Sequence, residues 1–122
     1  GPYPPPYGEK VIQLSAPPGL TLLQVRQSIQ NAALENGWQV IESGFVDGAD
    51  GSDAGRIQLR KRNYFYETNF LLLFNEGVVE GYSDSYVLNA RGARTKRYTP
   101  PLRVSGIRDE IKKQLRTQVA GF

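Results

Sequence analysis

From Arg56 to Asn89 apolar and polar side chains alternate at the two-residue period of β-strands, in a run too apolar to remain uncovered. Ile57 and Leu59 alternate with Gln58 and Arg60, while Tyr64, Tyr66, Thr68, Phe70, Leu72 and Phe74 share one strand face that should meet the core. The opposite face begins Phe65, Glu67, Asn69 and turns apolar only at Leu71 and Leu73. The pattern therefore predicts a central strand, half-exposed in its first half and buried on both sides in its second. Asn75-Glu76-Gly77 predicts a three-residue hairpin loop with the glycine at positive φ, after which Val78 to Leu88 should return antiparallel. Another connection is expected near Arg62 and Asn63, although no glycine marks it.

On either side the period becomes helical. Pro17-Pro18-Gly19 forbids helix before it, and Thr21 followed three residues later by Gln24 is a capping-box pattern. Leu22, Val25, Ile29 and Ala32 then fall on one stripe, and Asn36-Gly37 supplies a stop, leading straight into a strand through Trp38, Val40 and Ile41. Trp38 is expected in the core. A second stripe of Val104, Ile107, Ile111 and Leu115 follows Pro101, with Arg108, Lys112, Lys113 and Arg116 toward solvent. Asp109 and Glu110 near its start, and the basic residues toward its end, should complement the helix dipole. Both stripes need the same apolar surface, which predicts an α+β fold: a two-layer sandwich with an antiparallel sheet of about four strands, two helices on one face and the other face open to partners.

The remaining segments read as loops. Residues 1–19 form a proline-rich arm and 20–120 the domain, with a short strand or edge segment at Val11–Leu14. Tyr3 to Gly8 should be extended because proline lacks the backbone donor; Pro4-Pro5-Pro6-Tyr7 also fits the PPxY pattern that WW domains grip, with a plain spacer the favoured reading. Gly44 to Gly55 reads as a solvated, mobile hairpin loop. Its aspartates, Asp47, Asp50 and Asp53, stand three apart with no glutamate before Glu67, which fails the alternating ligand pattern of a calcium loop, so no metal site is expected.

At 122 residues the chain is one domain's worth of sequence. It has no cysteine and no histidine, which removes thiolate chemistry, the commonest general base and the commonest metal ligand. The strand carboxylates Glu67, Glu80 and Asp84 are dispersed and read as solvent contacts or cross-strand ion pairs, so neither an enzyme nor a cofactor is expected. Tyr82, Asp84 and Ser85 read as a structural polar cluster at a strand end. Gly1-Pro2 resembles what protease cleavage leaves, and the native start is expected upstream; no apolar run approaches the length of a membrane span. Charge is uneven: residues 1–55 carry two basic and six acidic side chains, residues 56–122 thirteen and six. Between Asp84 and Asp109 no acid interrupts Arg91, Arg94, Lys96, Arg97 and Arg103, which are the candidate surface for an anionic partner.

The order of helix, Gly37-Trp38, antiparallel strands, Gly81-Tyr82-Ser83-Asp84-Ser85 with Leu88, then a prolyl approach to a terminal helix resembles a family of small bacterial envelope lipoproteins of unknown function, over about Leu20 to Leu115. The chain departs from that pattern in its aspartate-glycine loop and in having Tyr98 and two prolines, without histidine, before the last helix. The resemblance implies a signal peptide and a lipid-bearing cysteine upstream, with Tyr3 to Gly8 as a tether, and a periplasm-facing place in the envelope; it brings no activity. The expectation is a non-catalytic envelope binding or structural module that contacts anionic lipid, peptidoglycan or another envelope protein. The alternative is a small nucleic-acid-binding module, since Arg60-Lys61-Arg62 precedes Tyr64, Phe65 and Tyr66, although the glycine-aromatic pattern of RNA-recognition motifs is absent.

Overall fold

A computed structural model describes residues 8–47 and 53–120. Tyr3 to Tyr7, with the PPxY pattern, and Asp50 lie outside the described residues. In chain order the elements are β1 (Glu9–Ser15), α1 (Leu22–Glu35), β2 (Gln39–Asp47), β3 (Asp53–Arg62), β4 (Tyr66–Phe74), β5 (Val78–Ser83), β6 (Tyr86–Leu88), β7 (Arg94–Arg97) and α2 (Pro101–Ala120). The fold is α+β, with two helices and one antiparallel sheet. Its main path runs β1-β5-β4-β3-β2, with β6 added to β4 and β7 added to β6.

The described residues thus form a seven-stranded sheet rather than one of about four. Three features account for the difference. Residues 9–15, where a short strand or edge segment was expected at Val11–Leu14, form a seven-residue strand that pairs with β5 through Ile12↔Gly81 and Leu14↔Val79. The expected return from Val78 to Leu88 is two strands, because the chain leaves β4's ladder at Asp84: its amide donates to Asn69 O at 3.0 Å, and the Ser85 hydroxyl then accepts the Asn69 amide at 3.0 Å. Finally, Arg94–Arg97, read as irregular, is an edge strand with all four side chains exposed. Lacking alternation, it gave no periodic signal, and its charges suit an unpaired edge.

The Gly44 to Gly55 segment also differs from expectation. The β2–β3 ladder continues through Gly44↔Arg56, Phe45↔Gly55, Val46↔Ala54 and Asp47↔Asp53, leaving residues 48–52, outside the described residues, between its ends. Gly55 is needed for packing rather than flexibility, since a Cβ there would overlap the Phe74 ring.

One buried cluster joins Val25, Ile29, Ala32 and Ala33 of α1 and Ile107, Ile111 and Leu115 of α2 to alternate positions of β1, β3, β4 and β5. Phe70, fully buried at its centre, stacks on Trp38 with ring centroids 5.0 Å apart. The capping box of α1 forms in both directions, Gln24 N to Thr21 Oγ1 at 3.1 Å and Thr21 N to Gln24 Oε1 at 3.0 Å, and Gly37 takes φ 73° beyond the last turn. α2 begins at Pro101, so Asp109 and Glu110 lie well past its first turn, which holds no acid; the expected dipole match is absent.

The tight turns depend on asparagine. Asn75 Oδ1 accepts the amides of Gly77 and Val78, and Gly77 is not at positive φ. Asn63 Oδ1 does the same for Phe65 and Tyr66, and Asn89 Oδ1 for Arg91 and Ala93. A side-chain oxygen replaces a backbone acceptor in each, so the Arg62–Asn63 connection needs no glycine.

Two substitutions check this packing by urea unfolding. Trp38→Ala should cost about 3 to 5 kcal/mol, because the cavity removes the partner of Phe70. Gly55→Ala should cost about 1 to 3 kcal/mol by displacing the Phe74 ring, whereas a flexible loop position would tolerate it.

Candidate functional site: arginines on the polar sheet face

Because strand side chains alternate, the register that sends Ile57, Leu59, Phe70 and Leu72 into the core sends Arg56, Gln58, Arg60, Glu67, Asn69 and Leu71 to the other face. Gln58 pairs with Leu71 and Leu71 with Tyr82, so these side chains cross three strands in a row. They form the middle of a cleft of about 140 Å³, with Arg56 toward one end and Arg60, Arg94 and Asp84 toward the other.

Glu67 and Asn69 are buried on this face, not half-exposed as the pattern predicted, because cationic side chains cover them. Arg60 Nε donates to Asn69 Oδ1 at 2.8 Å, and Asn69 Nδ2 donates to Glu67 Oε2 at 3.0 Å and to Asp84 O at 2.9 Å. Arg94 closes on Glu67 Oε2 at 2.5 Å, with Arg62 3.7 Å from the other oxygen. Burial by itself raises the Glu67 pKa, but hydrogen bonds from Asn69 and Arg94 and the charges of Arg94 and Arg60 outweigh it, holding the carboxyl below its ordinary range. Glu80 is also lowered, chiefly by the hydrogen bond from Lys10 at 2.6 Å, with burial opposing. Both shifts are opposite to the one a general acid requires.

The candidate cations divide. Arg94 and Arg97 are held on β7, Arg97 to Asp84 at 3.0 Å, and both guanidinium groups lie over the Tyr86 ring, at 4.5 and 5.5 Å. Arg91 and Lys96 are exposed, with no side-chain partner among the described residues. Arg103 is not with them. Its Nη1 donates to Lys61 O at 2.8 Å and Thr68 Oγ1 at 2.5 Å on the core side of the sheet, where it clasps α2 to β3 and β4. Lys61 turns the same way, donating to Asn36 O at 2.6 Å; burial and the nearby Arg103 charge lower its pKa.

Of the residues read as a polar cluster, Tyr82 donates to Glu80 at 3.0 Å, the Asp84 carboxylate accepts from the Tyr86 hydroxyl at 2.6 Å and Ser85 shares a 2.7 Å hydrogen bond with Ser83; Asp84, through its backbone, and Ser85, through its hydroxyl, both also bond Asn69. Sequence reasoning also missed an aromatic tip. Tyr64 and Phe65 are 68% and 61% exposed in the β3–β4 turn, rings edge-on at 5.3 Å, although periodicity assigned Tyr64 to the core. Arg62 donates to Gly92 O at 2.6 Å and brings the Asn89–Gly92 turn, with Arg91, alongside. Asn63, a turn former just ahead of the aromatics, was the available signal.

Comparison with known proteins gives no match: no family model, no curated protein and no solved structure matches this chain.

The Glu67 network makes stability depend on pH. A carboxyl whose pKa is lower folded than unfolded stabilises the fold above its ordinary range, and that contribution disappears as pH falls through the folded value. Urea midpoints should therefore drop on acidification below the ordinary carboxylate range, and Glu67→Gln should flatten the dependence, with Glu80 contributing in the same direction.

Proposed function

We propose that this chain is a non-catalytic binding module of the bacterial envelope, periplasm-facing and lipid-anchored upstream, which docks on anionic lipid through the Tyr64–Phe65 tip. The observation carrying the reading is the pairing of two exposed aromatic rings with the cations Arg62 and Arg91, with Lys96 on the adjoining edge strand. Aromatic side chains favour the headgroup region, and each nearby cation adds about 1 kcal/mol at an anionic leaflet, within a Debye length of about 8 Å. Peripheral docking of this kind needs no spanning segment; no helix among the described residues is long and apolar enough to cross a membrane. In this reading the domain is a two-layer sandwich with both helices on one sheet face, supported by the single cluster that contains residues of both helices and the sheet. Peptidoglycan or another envelope protein would then meet the polar face.

The nucleic-acid reading draws on the same cations and aromatics. It is less favoured because Arg60-Lys61-Arg62 is split: Arg60 binds Asn69 on the polar face, and Lys61 binds Asn36 O on the core side. Tyr86 on the polar face is covered by Arg94 and Arg97, which removes it as a stacking platform.

Cosedimentation with anionic and neutral vesicles at low and physiological salt tests the proposal. Binding should require anionic lipid and weaken with salt. Changing Arg91 and Lys96 together to Gln should cost about 2 kcal/mol, roughly thirty-fold, and Tyr64→Ser with Phe65→Ser should weaken binding at both salt concentrations. Equal binding by parent and cation variant, or no binding to anionic vesicles at low salt, overturns it. Single-stranded RNA bound by the parent and lost in the cation variant, without vesicle binding, would favour the alternative.

A further inference from the structure

We propose that the cleft on the polar sheet face is a binding site for a small molecule with two oxyanionic groups, one held by Arg56 and the other by Arg60. The inference is independent of the lipid-docking tip, which lies in the β3–β4 turn.

The cleft has a cationic excess. Among the described residues its lining has Arg56, Arg60 and Arg94 against the carboxylate Asp84. Arg94 and Asp84 are engaged, with Glu67 and with Arg97 and Tyr86 respectively. Arg60 makes no ion pair among the described residues: Nε donates to the neutral Asn69 amide, and its charge acts on Glu67 only from beyond ion-pair distance. The remaining face of its planar fork suits a carboxylate or phosphate oxygen pair.

At the other end, Arg56 is imperfectly satisfied. Glu42 Oε1 lies 3.2 Å from its Nε, close enough for an ion pair, yet Nε is buried and makes no hydrogen bond, so the two are near but misaligned. A buried donor left without an acceptor is costly, and native structures rarely keep one without a reason. Glu42 is more than half exposed and sits on the neighbouring strand β2, so an incoming oxyanion competes with a rim carboxylate rather than a buried one.

The spacing sets the ligand class. Arg56 and Arg60 are four residues apart on one strand face, about 13 Å between their Cα atoms, and both side chains border the same cleft. Leu71 gives an apolar patch between them, flanked by Gln58 and Tyr82 on the neighbouring strands. The cleft, about 140 Å³ and open to solvent, has room for a short carbon skeleton with an acidic group at each end. Dicarboxylates and short phosphorylated carboxylates share this chemistry.

The test is titration of the whole chain, followed by amide ¹H–¹⁵N shifts, with succinate, phosphoglycolate, acetate and inorganic phosphate at matched ionic strength. Succinate or phosphoglycolate should shift the amides of Gln58, Asn69, Leu71 and Tyr82 saturably, and acetate at least tenfold more weakly. The stronger of the two identifies the second acidic group as carboxylate or phosphate. Arg60→Gln and, separately, Arg56→Gln should each weaken binding about tenfold, while Arg91→Gln leaves it unchanged; the spectra themselves report whether each variant is folded. Equal shifts from acetate and succinate, undiminished binding in both cleft variants, or no saturable shift with either two-ended probe overturns the proposal. Inorganic phosphate binding as tightly as phosphoglycolate also overturns it, since one oxyanion would then suffice. Vesicle binding by the tip predicts none of these results, so the two readings fail separately.

Discussion

Burial of β4 on both faces is the constraint on which the rest of the structure depends. Thr68, Phe70, Leu72 and Phe74 are buried on one side and Glu67, Asn69, Leu71 and Leu73 on the other. The apolar residues of the first side belong to one buried cluster with those of both helices and the neighbouring strands. The second begins with a carboxylate and an amide, which hydrocarbon cannot cover without leaving their hydrogen-bonding capacity unmet. Guanidinium groups cover them instead. Arg60 reaches Asn69, Arg94 reaches Glu67, and β6 and β7 are the added strands that bring Arg94 into place.

This arrangement explains why the basic run does not behave as one surface. Arg94 and Arg97 serve the Glu67 and Asp84 carboxylates and lie over the Tyr86 ring, and Arg103 secures α2 from the core side. Their loss would disturb the fold along with any binding, so they are poor reporters of a partner. Arg91 and Lys96 have no such duty among the described residues and are the cations of that run suited to an anionic surface. The aromatic tip reaches the same neighbourhood through the Arg62 bond to Gly92 O, which ties two asparagine-led turns together.

Much of the fold was legible in the sequence because it depends on period and local capping. The alternation from Ile57 to Phe74, the Thr21–Gln24 capping box, the Gly37 stop, the buried Trp38 and the second stripe at Ile107, Ile111 and Leu115 need only the residues themselves and their spacing. Even the central position of β4 followed from apolar residues appearing on both of its faces. Strand number was less accessible. β7 has four exposed residues and no alternation, and β1 opens beside a proline-rich stretch, so neither displays its pairing partner in its own pattern.

The sequence by itself determined which segments bury hydrocarbon, since burial follows from period and side-chain type. Tertiary structure alone decided where each charge went. Arg60 and Lys61 are adjacent in the chain yet face opposite sides of the sheet, and Arg94 and Glu67, twenty-seven residues apart, meet within 2.5 Å. A cation's role depends on the acceptor that register and crossover place beside it, and a linear pattern carries no record of that distance. The tip and the cleft share this origin: each is an assembly of side chains from separate strands, visible only once antiparallel pairing has brought them onto one face or one end.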